Sequence, residues 1–297
     1  MAVQIISGLT STTLNGSANS AVIIPALGDD VFVDESGDVI AAGDNAHGIF
    51  GNNTGNHHVE VHGQVFSSLG DGINLGQSGT TAPNQVIVGR SGSVTSAEED
   101  GVTVNGASNL VVVHGSVYGY GGGIDSTSGT QRVQIASTGS VTAYTGRGID
   151  FSGGGGHVVD NAGLVSSAFF DAISLTGVDA NTLNNSGTII AEEDGVRLMN
   201  GGNTLTNSGS ITSGANAVEF GASLGGYNHL LNTGTITARD YNGATSPAAY
   251  GVNAIEGGNV IVNHGAIISD YIGVGLGVGI ALNNVNNDTV TNTGSIT

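Results

Sequence analysis

The side chains best suited to chemistry in this chain are carboxylates that recur in short runs. Glu98, Glu99 and Asp100 form one, Asp171 stands alone, Glu192, Glu193 and Asp194 form another, and Arg147 lies between them. Carboxylates converging on one bond act as general acid and base or hold calcium, and an arginine beside them neutralises a uronate. Aromatic residues gather in the same stretches. Tyr118, Tyr120, Tyr144, Phe169, Phe170, Tyr241, Tyr250 and Tyr271 make up eight of the fourteen tyrosines and phenylalanines. Their faces can stack on sugar rings without any acid and base pair.

What positions these groups is a repeat. An apolar residue, three spacers, a glycine and a β-branched residue two places later recur eleven times between residues 33 and 296. The glycines are Gly37, Gly63, Gly92, Gly115, Gly139, Gly163, Gly187, Gly209, Gly234, Gly265 and Gly294, spaced 22 to 31 residues apart. One apolar column runs from Val33 and Val59 to Ile261 and Val290, a second from Val39 and Val65 to Ile267 and Ile296. A third follows the next small residue, at Ile49, Ile73, Val102, Ile124, Ile149, Ile173, Val196, Val218, Val252 and Ile280. Short alternation of β-branched residues between Gly, Asn and Ser marks strands, and this period marks a solenoid whose coils bury their apolar sides only by stacking. The sequence therefore predicts an all-β chain: a single parallel β-helix of about ten rungs, each roughly 24 residues, some 50 Å long. Right-handedness is expected because parallel crossovers are right-handed. Residues 1–31, with Pro25 and without the repeat, are expected to cap it, and residues 32–297 to form the helix.

Asn161, Asn185, Asn207, Asn232, Asn263 and Asn292 stand two places before the last six repeat glycines, where stacking would let each amide donate to the next. A second polar column is expected at Asn181, Asn203, Asn228, Asn259 and Asp288.

Stacked rungs make one edge of the rod aromatic and acidic. The two Glu-Glu-Asp runs lie four rungs apart, nearly 20 Å by strand spacing, too far to form one acid and base pair. Asp71, Asp100, Asp171 and Asp194 each precede a small residue, where aspartate serves turn geometry. No catalytic residue is assigned on this reading. Tyr118, Tyr144, Arg147 and Phe170 are the candidate binding residues on the edge. Insertions of about eight and five residues in consecutive rungs add Arg239, Asp240 and Tyr241, and Asp270 and Tyr271, as a second candidate surface, since solenoids place recognition on such insertions. His62, His114 and His264 fall in separate rungs, and His57 and His58 near His62 are read as a solvated loop, so no metal site is assigned. Outward pairs such as Ser210 with Thr212 resemble the flat threonine arrays of ice-binding solenoids, but Phe66, Tyr118, Leu164 and Ile268 break the array.

Composition narrows the partners. Lysine and arginine total five against 24 acids, a formal charge of −19. A nucleic-acid partner needs a basic face and is excluded, and anionic membrane surfaces are disfavoured. Without cysteine there is no disulfide framework or thiolate site. No apolar run is long enough for insertion in a membrane. Residues 1–30 lack the basic start of a secretory signal, and Asn292, Gly294 and Ile296 open a rung just before Thr297, which leads us to expect a longer parent protein and, for the isolated chain, end-to-end self-association at that open rung.

Rungs such as Asn207-Ser208-Gly209-Ser210-Ile211-Thr212 and Asn232-Thr233-Gly234-Thr235-Ile236-Thr237 resemble those of large secreted repeat proteins of proteobacteria, both autotransporter passengers and the β-helical regions that precede RTX calcium repeats. The resemblance covers about residues 32 to 297. It implies an extracellular or cell-surface location, a structural or adhesive role with a glycan or surface ligand, and, for the RTX type, export through a C-terminal signal. The calcium nonapeptide is absent: Gly153 to Gly156 is followed by His157 and Val158, without the required aspartate. No cofactor is therefore expected in these residues, and calcium would belong to other parts of a full-length protein. The alternative reading is a lyase-like or epimerase-like β-helix acting on polysaccharide.

Overall fold

In the computed structural model the described residues are 2–13, 16, 19–51, 55–76, 79–106, 108–221, 227–239, 249–255, 257–270, 278–282 and 288–297. Their strands form three parallel sheets. The first and second hold twelve strands each and the third eleven, and each strand pairs with the equivalent strand one coil on. One rung runs, for example, through Ser116–Gly119 in the second sheet and Ile124–Ser126 in the third to Gln131–Ile135 in the first. Its length, from twelve strands at about 4.8 Å, is roughly 50 Å.

The three apolar columns face the core. Val39, Val94, Ile189 and Ile236 are fully buried, as are Ile49, Ile73, Ile149 and Val218. Burial relaxes only in the last rung, where Val290 is 40% exposed. Alternate residues along each strand point out, which gives the buried and half-buried alternation of Gln85–Val88 and Ser93–Ser96.

The repeat glycine is required by contact between rungs. A Cβ on Gly187, Gly209 or Gly234 would overlap the carbonyl oxygen of the repeat glycine one coil earlier. Gly8 has nothing within 4 Å of such a Cβ, because no described coil stacks against that side of it. Residues 1–31, expected to stand outside the repeat, supply Val3–Ile6, Leu9–Thr12 and Val22–Ile24, one strand for each sheet, in register with the following rung. Gly8 holds the repeat-glycine position there, Asp38 N–H donating to its carbonyl as Gln64 N–H does to that of Gly37, but without the steric demand, while Ile6, Val22 and Ile24 keep the inward positions.

The first apolar column differs from its sequence alignment. Val31, not Val33, pairs with Val59, and Val33 pairs with Val61. Counting four places back from the glycine fails because the turn length varies. Asp34–Gly37 is a four-residue turn closed by Gly37 N–H donating to the Asp34 carbonyl (3.0 Å), and residues 89–92 and 136–139 repeat it. The intervening rungs turn through two residues, His62–Gly63 and His114–Gly115. Both alignments select inward positions, so the core is the same.

Both polar columns are present. Asn161, Asn185, Asn207, Asn232, Asn263 and Asn292 form an unbroken amide ladder with steps of 2.7–2.8 Å. The second column is longer than the sequence suggests. Above His57 it runs through Asn84, Asn109, Gln131 and His157 to Asn181, and then through Asn203 and Asn228 to Asn259 and Asp288. The added members differ in type but share one property, a side-chain acceptor for the neighbouring rung.

Candidate functional site

The corner between the second and third sheets carries the aromatic and acidic groups. Its backbone stacks as the sheets do: Tyr120 N–H donates to the Ser96 carbonyl, Tyr144 N–H to Gly119, and Thr145 N–H to Tyr120. Tyr120 and Tyr144 are therefore superposed, with ring centroids 5.2 Å apart, and Phe169 meets Tyr144 edge-on at 5.1 Å. Tyr144 and Phe169 are exposed. Phe170 is set by Ser167, whose hydroxyl accepts from Phe170 N–H (3.0 Å) and donates to the Gly146 carbonyl (2.6 Å). Of the aromatic candidates, the structure brings Tyr144 and Phe170 to this corner. Tyr118 lies on the outer face of the second sheet, between Thr95 and Thr142.

Beside the ladder opens a cleft of about 280 Å³ lined by Asp100, Gly122, Asp125, Arg147, Asp150 and Phe170, together with Gly121, Thr145 and Gly146. Its cause is a gap in a column of aspartates. Asp71, Asp100, Gly122, Arg147, Asp171 and Asp194 occupy equivalent corner positions, as the bonds of the following glycines and alanine show. Asp100 accepts from Gly122 N–H (2.6 Å), and Asp194 N–H donates to Asp171 (3.3 Å), so these carboxylates tie one rung to the next. Where Gly122 replaces a side chain, space remains.

Arg147 forks within this space. Its Nε donates to Asp171 Oδ2 (2.9 Å) and its Nη1 to Asp150 Oδ2 (2.8 Å). Burial works against its charge, but the bonds and charges of Asp150 and Asp171 outweigh burial and raise its pKa. Asp125 stands in the outward column of the third sheet between Thr103 and Asp150. Burial, then the negative charges of Asp100, Asp150 and Asp71, push its carboxyl up to about 7 against the opposing pull of Arg147. Asp71 is pushed up to about 7 by burial and Asp100, and Asp194 to about 7 by burial, Glu219 and Asp171. Burial raises Asp100 as well.

Glu98 and Glu99 are exposed and line no part of the cleft. The convergent carboxylates are Asp100, Asp125 and Asp150. Asp125 and Asp150 were not singled out from sequence, although each directly follows a residue of the third apolar column, Ile124 and Ile149, and so had to face outward. Arg239 is exposed. Asp240, Tyr241 and Tyr271 lie outside the described residues, and Asp270 is described by its backbone alone, as the end of the strand Ala266–Asp270.

The histidines separate. His57 is buried in the polar column, while His62 Nε2 meets Glu60 Oε1 at 2.7 Å on the outer side. Among the described residues no three His, Asp or Glu side chains are grouped to hold a metal ion. A larger cleft of about 380 Å³ lies over the first sheet, lined in part by Val112, Gln134, Asp160 and Asn184. His114 supplies its one ring, and Asp160 is satisfied by Arg132 (2.7 Å) and Asn184 (2.8 Å). Among the described residues no helix is long and apolar enough to cross a membrane.

No protein-family model, curated protein or solved structure matches the chain. Fold and corner together define a class, a parallel β-solenoid with an aromatic ladder set beside an acidic cleft.

Proposed function

We propose that the chain is an extracellular or cell-surface β-solenoid with a structural and adhesive role, and that it holds glycan along this corner without transforming it. The observation that supports this most is the ladder of Tyr120, Tyr144 and Phe169, with centroids 5.2 and 5.1 Å apart beside the cleft. The exposed rings of Tyr144 and Phe169, with the half-buried Tyr120 beside them, offer apolar platforms to sugar faces, while the neighbouring carboxylates accept hydroxyl hydrogen bonds. The rod shape suits display along a surface. A titration of soluble oligosaccharides against the wild type, Tyr144→Ala and Phe169→Ala tests the reading. We expect each substitution to weaken binding about tenfold, in line with the worth of one stacking platform. Unchanged binding in both variants would overturn it.

A second reading has one observation in its favour. Asp125, held near pKa 7 in a cleft, has the acidity of a general acid at neutral pH. It supports polysaccharide hydrolysis better than uronate elimination, because Arg147 is already engaged by Asp150 and Asp171. Turnover that vanishes in Asp125→Asn would establish it.

A further inference from the structure

The corner cleft is unequally charged and incompletely bonded. Arg147 is the one cation lining it, and both of its bonded edges face carboxylates, Asp150 and Asp171. Asp100 is held by Gly122 N–H and Thr103 Oγ1. The Asp125 carboxyl makes no side-chain hydrogen bond among the described residues, and it faces the negative charges of Asp100, Asp150 and Asp71. Two further polar atoms on the same face are unsatisfied. Asp150 Oδ1 is buried without a partner, and so is Ser174 Oγ. Ser174 is 1% exposed and pairs with Asp150 one rung on, so both side chains leave the same side of the third sheet. Buried polar atoms are almost always hydrogen-bonded, so these leave acceptor capacity unused on the face beside the cleft, whose own lining includes Asp125 and Asp150 but not Ser174.

On the reading that the corner binds glycan, we propose that the cleft selects amino sugars with a free ammonium group over N-acetylated, neutral and uronate sugars. The sugar ring would lie against Tyr144 and Phe169, with its ammonium in the cleft between Asp100 and Asp125. An ammonium supplies three donors and one positive charge, which answers both the unfilled acceptors and the excess of carboxylate. A uronate would add a further negative charge where the single arginine is already neutralised. An N-acetyl group supplies one donor and no charge.

The test is calorimetric binding of three hexamers, glucosamine, N-acetylglucosamine and galacturonate, to the full chain at pH 6. At that pH the amine is protonated, and its positive charge holds Asp125, otherwise near pKa 7, in the ionised form. We expect the glucosamine hexamer to bind about tenfold tighter than its acetylated counterpart, the scale of one charge-assisted hydrogen bond, and the galacturonate hexamer not to bind. Asp125→Asn should abolish that preference, so that the amine and acetylated hexamers bind the variant alike. The net charge of −19 attracts any polycation, so the variant is decisive. If Asp125→Asn binds glucosamine hexamer as tightly as the wild type, the attraction is diffuse and the inference fails. Equal affinity of the wild type for the amine and acetylated hexamers, or a preference for galacturonate, overturns the inference while leaving glycan binding intact. No binding of any hexamer overturns both.

Discussion

Asn161 pairs with Ile135 across adjacent strands of the first sheet. At that inward position the column passes from apolar to amide, and the alternation of four-residue and two-residue turns ends there. The two changes are linked. In the ladder each amide donates to the next asparagine and also to the carbonyl beyond its own turn, as Asn207 Nδ2 does to Asn232 Oδ1 (2.8 Å), Gly209 O (3.4 Å) and Thr235 O (3.3 Å). Those contacts recur only where consecutive turns have the same length, so earlier rungs place Val61, Val88 and Val113 there instead.

Removing the centre of the ladder should therefore be costly. Asn207→Ala leaves the Asn185 donor and the Asn232 acceptor facing each other across a void, and should lower stability by about 3 kcal/mol. Asn292→Ala, at the exposed last rung, should lower it by less than about 1 kcal/mol. Urea unfolding of both variants checks the contrast.

The glycine column makes a sharper comparison. Gly209→Ala drives a methyl group into the Gly187 carbonyl, and should destabilise by about 3 kcal/mol by forcing rungs apart. Gly8→Ala meets nothing and should stay within about 0.5 kcal/mol of the wild type. Thermal unfolding measured side by side distinguishes a steric cause from a general preference for glycine.

The acidic corner makes stability depend on pH in a direction opposite to ordinary surface carboxylates. Asp125 goes from about 3.8 unfolded to about 7 folded, so its contribution is full below pH 3.8 and is lost as pH rises through 7. Asp71 and Asp194 follow the same course. Burial lowers His47 and His157 to about 4, so their contribution runs the other way, complete above pH 6.5 and lost as pH falls towards 4. The two sets oppose each other between pH 4 and 6.5, so the clean measurement is a difference. Asp125→Asn should raise the melting temperature at pH 8 and leave it unchanged at pH 3.5.

Much of this was legible in the sequence. The second and third columns, such as Val94 and Ile149, have constant apolar identity and sit at fixed distances from a small residue, so their burial could be read directly. The first column was misaligned by two residues at Val33, Val88 and Ile135 because spacing to the glycine hides the turn length. The second polar column was read only from Asn181 onward, since Gln131 and His157 share its function but not its type and separate Asn84 and Asn109 from the later run. At the corner, counting acids favoured the Glu-Glu-Asp runs, yet it is the missing side chain at Gly122 that opens the cleft and gathers Asp100, Asp125 and Arg147 around it. A gap made by glycine is invisible to a search for reactive side chains.

The proposal that the corner is a glycan-binding edge is tested most directly by amide hydrogen exchange of the full chain with and without saturating glucosamine hexamer. The account predicts added protection confined to the corner, residues 119–125, 144–150 and 168–174, with the first sheet unchanged. Protection over the first-sheet cleft around Gln134 and Asn184, or none anywhere, would contradict it.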